Sequence, residues 1–278
     1  MKARLISQGA ITKDDRFPDH DPDDKRFKRR LLAEGDSWFS LGSVPYENLL
    51  MELDFPERTI VVNIAEPGDE IVRMASPRHV KAFKRLVANK QNAYKWDAIL
   101  LSGGGNDLID RAGKILRPGT TIDGCINKTA LRTCMSDISE AYRSLAAIRD
   151  SSPAALNQHT PLIAHTYDYP TPRDSGAEFF GSVIRGPWLF KAFNDAKIAE
   201  DLWVPVSDRL IETLADTIRG LASGPKAIPN LKVVETLGTL DRAALGAKKQ
   251  SGDWRNEIHP WKGGYQKLAP KVVQAVVT

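Results

Sequence analysis

The sequence is poor in the features that define whole classes of protein. Only Cys125 and Cys134 are present in 278 residues, which excludes a disulfide framework and a multi-cysteine metal cluster. The two are nine apart within a stretch read as one helix, so they are expected to face different directions, unbridged and reduced. No apolar run approaches the roughly 20 residues that span a bilayer. The start MKARLISQGAITKDD lacks the apolar stretch and cleavage site of a secretory leader, and the expected compartment is the cytoplasm. Charge of one sign is also lacking. The 39 basic and 35 acidic residues leave a formal +4, with no basic stripe interleaved with aromatics, so no nucleic-acid partner is expected. The one dense block sets Asp19, Asp21, Asp23 and Asp24 before Lys25, Arg26, Lys28, Arg29 and Arg30, and reads as self-neutralising. No internal repeat and no Gly-, Pro- or Ser-rich linker divides the chain.

Present instead are five short apolar runs that end in polar or turn-forming residues. Leu31 to Ala33 leads into Glu34-Gly35-Asp36-Ser37, Ile60 to Ile64 into Glu66-Pro67-Gly68, and Ala98 to Leu101 into Ser102-Gly103-Gly104-Gly105-Asn106-Asp107. Leu162 to Tyr167 and Leu231 to Thr236 follow. Such runs suit strands buried on both faces of a parallel sheet. Segments of helical period lie between them, near 45–54, 78–90, 122–150 and 188–222, the last expected to break near Pro205, and again at Gly264 to Val277, where Pro270 implies an early start or a kink. The alternation predicts right-handed βαβ crossovers and an α/β fold, a three-layer sandwich around a parallel sheet of about five strands. Residues 1–28 read as an N-terminal extension and 29–278 as one domain. In such sheets ligands bind beyond the carboxyl ends of the strands, where the polar clusters stand.

Ser37 follows the first run directly, at a strand-to-helix turn where a hydroxyl is exposed and a helix N-terminus supplies positive potential. A nucleophilic serine needs a base, and His259, in Asp253-Trp254-Arg255-Asn256-Glu257-Ile258-His259-Pro260, is the candidate. Gly68 can bring a bare backbone N–H to a developing oxyanion, and Asn106 can offer a side-chain amide. The glycine run at 103–105 lacks the Lys-Ser/Thr ending of a P-loop and the spacing of a dinucleotide fingerprint.

These four blocks, Gly35-Asp36-Ser37, Gly68, Gly104-Gly105-Asn106-Asp107 and His259-Pro260, resemble those of the SGNH, or GDSL-type, hydrolases over residues 31 to 266. The resemblance implies a flavodoxin-like fold and a serine esterase, lipase or acyl hydrolase. It casts Ser37 as nucleophile and backbone oxyanion donor, Gly68 and Asn106 as further donors, and His259 as base. One position departs from the family: Asn256 stands three residues before His259, where an aspartate usually orients the ring. An amide can accept from the imidazole but cannot stabilise its charge. Asp253, Asn256 and Glu257 all remain candidates for that role, with a rearranged triad on Asp253 or a Ser-His dyad aided by Asn256 favoured over a degenerate enzyme.

The long segment from Tyr167 to Trp188 reads as a substrate wall, with Tyr169, Phe179, Phe180 or Trp188 giving apolar contact and Arg173 or Arg185 open to an anionic group. Trp38 lines the pocket or packs beneath it. His165 reads as a hydrogen-bonded core residue. The five histidines show no zinc spacing, and a serine mechanism requires no metal or other cofactor. The expected substrate is a small-molecule ester or thioester. Alternatives are an acylated carbohydrate, which would make the chain a carbohydrate O-acetyl esterase, or a non-catalytic binding module on the same fold.

Overall fold

The computed structural model describes residues 1–40, 47–179 and 183–278. Among the described residues eight strands form: β1 (Arg4–Ser7), β2 (Arg29–Gly35), β3 (Thr59–Asn63), β4 (Ala98–Ser102), β5 (Leu162–His165), β6 (Ala177–Phe179), β7 (Val183–Arg185) and β8 (Leu231–Val234). The helices among the described residues are α1 (Ser37–Ser40), α2 (Leu49–Glu52), α3 (Ile71–Met74), α4 (Lys81–Ala88), α5 (Gly105–Asp110), α6 (Ala112–Ile115), α7 (Lys128–Asp150), α8 (Leu189–Asp195), α9 (Trp203–Leu221) and α10 (Lys262–Val277).

Six strands make one sheet in the order β1-β3-β2-β4-β5-β8, parallel throughout. All five apolar runs lie in it. β4 and β5 are buried along their whole length, because helices cover both faces: α2 packs on α10, while α3, α4 and α9 pack on α7. This is the three-layer α/β/α arrangement expected. The sixth strand, β1, comes from the segment read as an extension and pairs with β3 from Arg4↔Ile60 to Ser7↔Asn63. Its short, largely exposed sequence carries no apolar run.

Three further expectations are corrected. The segment near 188–222 is not broken at Pro205: α8 ends at Asp195 and α9 begins at Trp203. Pro205 sits in the first turn of α9, where its missing N–H costs nothing because no residue lies four back within the helix. Cys125 precedes α7 and Cys134 lies within it, so they do not share a helix; both are free and buried. The helix expected near 45–54 is the single turn α2, capped by the Asn48 side chain accepting from the Met51 N–H; residues 45 and 46 lie outside the described residues.

The chain leaves β2 for β3 on one side and returns to β4 on the other, so the order reverses between β2 and β4. A crevice opens there at the carboxyl ends. Gly35 and Ser102 are paired across that point. A Cβ on Gly35 would lie 2.7 Å from the Ser102 Cβ and 2.8 Å from its carbonyl oxygen, so glycine is required by the approach of the two strands.

Candidate active site

Asp36 closes the turn after β2. Its carboxylate accepts the Trp38 N–H at 3.0 Å, capping the first turn of α1, and the Ser102 and Tyr167 hydroxyls at 2.8 and 2.6 Å. Burial pushes its pKa up to about 6 against the lowering of these three bonds. His165 completes the network. Its Nδ1 accepts the Tyr167 N–H, so Nε2 carries the proton and donates to Ser102 Oγ at 2.9 Å. The ring stacks on Trp38, and burial lowers its pKa to about 3. His165 is thus a neutral core residue, as read from the sequence. Tyr167 has φ +58, in a region that a bulky side chain adopts only when its surroundings impose it.

On this base Ser37 stands at the N-terminus of α1. Its Oγ donates to His259 Nε2 at 2.8 Å. On the far side of the ring, Nδ1 donates to Asn256 Oδ1 at 3.0 Å. That oxygen also accepts the backbone N–H groups of Ile258 and His259. Two backbone donors require an oxygen at this position, so the third donor, Nδ1, must carry the proton and Nε2 offers its lone pair to Ser37. The amide therefore sets the tautomer needed for a base. It adds no charge, however. Burial first, and the Arg255 charge second, lower the pKa of His259 to about 3, so the ring is neutral near pH 7.

The other two orienting candidates are occupied elsewhere. Asp253 Oδ2 accepts the Asp241 N–H and the Lys267 ammonium. Glu257 accepts the backbone N–H groups of Arg173, Trp188, Leu189 and Phe190, and burial pushes its pKa up to about 7. It fastens the start of α8 to the histidine loop. Neither carboxylate is bonded to the His259 ring.

The candidate oxyanion donors come from two linked loops. Gly68 has φ +79, a conformation that favours glycine. Asn106 Nδ2 donates to the Asp69 carbonyl at 3.0 Å, and the Asp107 carboxylate accepts the Ile71 and Val72 N–H groups at 2.8 and 3.2 Å. The Asn106-Asp107 pair at the start of α5 thereby holds the Gly68 turn and caps α3. A cleft beside Ser37 is lined by Asn106, Ile109, Tyr167, Pro170, Ile211 and Ile258, with Trp38 and Trp254 at its base. Gly68 is not among its lining residues.

The wall residues divide. Trp38 is buried, meets Tyr167 and Trp254 edge-on, and donates through Nε1 to the Ile258 carbonyl at 3.1 Å. It supports the site from below while touching the cleft. Trp188 presents its ring edge-on to His259 at 6.0 Å. Tyr169 is turned away, its hydroxyl on Glu212 and its ring under Arg242. Arg173 is buried and donates to the Ala247, Lys249 and Trp254 carbonyls, which removes it as an anion receptor. Phe180 lies outside the described residues. The sequence reading missed Ile109 and Ile211, whose only signal was a place on apolar helix faces, and the Ser102–Tyr167 network, visible only once β2, β4 and β5 are adjacent. Among the described residues no cluster of histidine, cysteine and carboxylate is arranged to hold a metal, and no helix is long and apolar enough to cross a membrane.

No protein-family model and no curated protein matches the sequence, but solved structures match the fold. The lipase Lip_vut3 from a goat rumen metagenome is 15% identical over 89% of this chain and 97% of its own, with a TM-score of 0.54. A GDSL-like lipase from Parabacteroides merdae is 10% identical over 91% and 97%, at 0.48. A carbohydrate esterase family 3 protein from Talaromyces cellulolyticus is 14% identical over 90% and 96%, at 0.47. The likeness to the goat-rumen lipase is one of fold: the two chains share the α/β/α arrangement over nearly the whole of each.

Proposed function

We propose that this chain is a serine ester hydrolase working through an acyl-Ser37 intermediate. The observation that carries the reading is the continuous line Ser37 Oγ, His259 Nε2, Nδ1, Asn256 Oδ1, with contacts of 2.8 and 3.0 Å. His259 takes the Ser37 proton as Oγ bonds to the ester carbonyl carbon. The tetrahedral oxyanion is met by the Ser37 N–H and the Asn106 amide, from two residues that line the cleft; Gly68, which the resemblance cast as a further donor, stands outside that lining. Collapse breaks the bond to the alcohol, which leaves with the proton from His259. Water, deprotonated by the same ring, then attacks the acyl-serine and releases the acid. The protein structures it resembles in fold include a lipase, which agrees with an ester substrate.

Asn256 shapes the expected rate. With no carboxylate behind the ring, the imidazolium formed in each step is held by a neutral oxygen, so esters with good leaving groups should react best. The test is hydrolysis of p-nitrophenyl acetate by the unchanged protein, Ser37→Ala and His259→Ala. Activity lost in both variants supports the reading. Activity retained by Ser37→Ala overturns it, and inactivity of the unchanged protein favours a binding module.

A further inference from the structure

We propose that the group transferred to Ser37 is limited to acetyl size, and that Ile109 and Ile211 set the limit. The inference rests on the ester-hydrolase reading above and adds the substrate class that the site accepts.

The cavity beside Ser37 has a volume of about 40 Å³. A single water needs about 10–15 Å³ of such space, so there is room for about three non-hydrogen atoms. An acetyl group has that number: a carbonyl carbon, its oxygen and one methyl. Sites that enclose drug-sized ligands run to roughly 300–1,000 Å³. The cleft opens to solvent on one side, which gives the leaving alcohol a route out. Asn106 lines the cavity together with Ser37, Ile109 and Ile211, and with the carbonyl oxygen on the Asn106 amide the proposal assigns the acyl carbon chain to the apolar wall.

That wall is rigid. Ile211 projects from α9 and is 5% exposed, with Leu210 and Leu214 beside it in the core. Ile109 lies on α5, which packs on both α7 and α9. A β-branched side chain in a helix keeps essentially one χ1 rotamer, so neither isoleucine can swing aside for further methylenes. A methyl group fits this lining, whereas a longer chain must displace a core helix.

The test varies the acyl group at constant leaving group. Values of kcat/KM for p-nitrophenyl acetate, butyrate and octanoate are measured for the unchanged protein, Ser37→Ala, Ile211→Ala and Ile109→Ala, with folding checked by thermal melting. The unchanged protein should prefer acetate to butyrate by about 10–100-fold, the scale of methylene discrimination in a closed pocket. Each isoleucine variant should narrow that ratio by about tenfold. Half-buried Ile109 carries the comparison if Ile211→Ala does not fold. Ser37-dependent cleavage of butyrate or octanoate as fast as acetate overturns the size limit and leaves the ester-hydrolase reading intact. An unchanged ratio in a folded isoleucine variant removes these residues from the role. No cleavage of any ester, with no fluorophosphonate label on Ser37, overturns both.

Discussion

Asn256 does one of the two tasks of a triad carboxylate. It fixes which nitrogen of His259 is protonated, because two backbone N–H groups hold its oxygen in place. It leaves the imidazolium without a counter-charge. Asn256→Ala should lower kcat on an ester by about 10²–10⁴, since it frees the ring and strands three donors. Asp253→Ala should leave kcat near that of the unchanged protein and lower the melting temperature, because its bonds go to the Asp241 N–H and Lys267. Kinetics and melts on the two variants separate the roles. Asn256→Asp keeps an oxygen for all three donors and adds charge, so it should raise kcat and move the acid limb of the pH–rate profile upward as the pKa of His259 rises; an unchanged profile would contradict this. At this scale the sequence singled out Ser37, Asn106 and His259, which the fold brings to one place, and left three orienting candidates. Choosing among them needs the course of the loop, which residue spacing does not carry.

Between β2 and β4 the fold has no spare room. Gly35→Ala places a methyl against the Ser102 backbone and Cβ, where nothing flexible can yield. It should cost roughly 1–3 kcal/mol of stability and, by spreading the strands, displace Asp36 and Ser37. Denaturant melts read the first effect and ester turnover the second; a fully stable and active variant would contradict this packing. Strands β2 to β5 were legible because inner parallel strands covered on both faces are apolar runs, and β8, at the far edge, because Leu231, Val233 and Val234 still cluster although Lys232 and Val233 are half-buried. The edge strand β1 was not, since only Ile6 in it is buried and its hydrogen bonds to β3 depend on a partner some 50 residues away. The break before α9 was misplaced for a similar reason: Pro205 looks the same in sequence whether it starts a helix or interrupts one.

Across the molecule, the chain buries carboxyl groups such as Glu34 and Glu257 that form no ion pair among the described residues. Burial pushes Glu34 up to about 8 from its ordinary 4.5, and Glu257 up to about 7. The folded state therefore holds these protons where the unfolded chain has released them, and stability falls as pH rises through this window. The buried histidines His165 and His259 act in the opposite direction, but only below their ordinary 6.5. From pH 6.5 to 8 the carboxyls should dominate, each contributing at most about 1.4 kcal/mol per pH unit. The melting temperature should drop over that range, and Glu34→Gln should flatten the decline; a melting temperature that rises from pH 6.5 to 8 would contradict it. None of this was legible in the sequence, where Glu34 is one acidic residue among 35 acidic residues. The central claim concerns the hydroxyl at the meeting point of β2, β4 and the histidine loop. The most direct measurement is to treat the folded protein with a fluorophosphonate and locate the adduct by peptide mass spectrometry. The account predicts one adduct, on Ser37, formed far more slowly in His259→Ala; no adduct, or one on another residue with Ser37 unmodified, would contradict it.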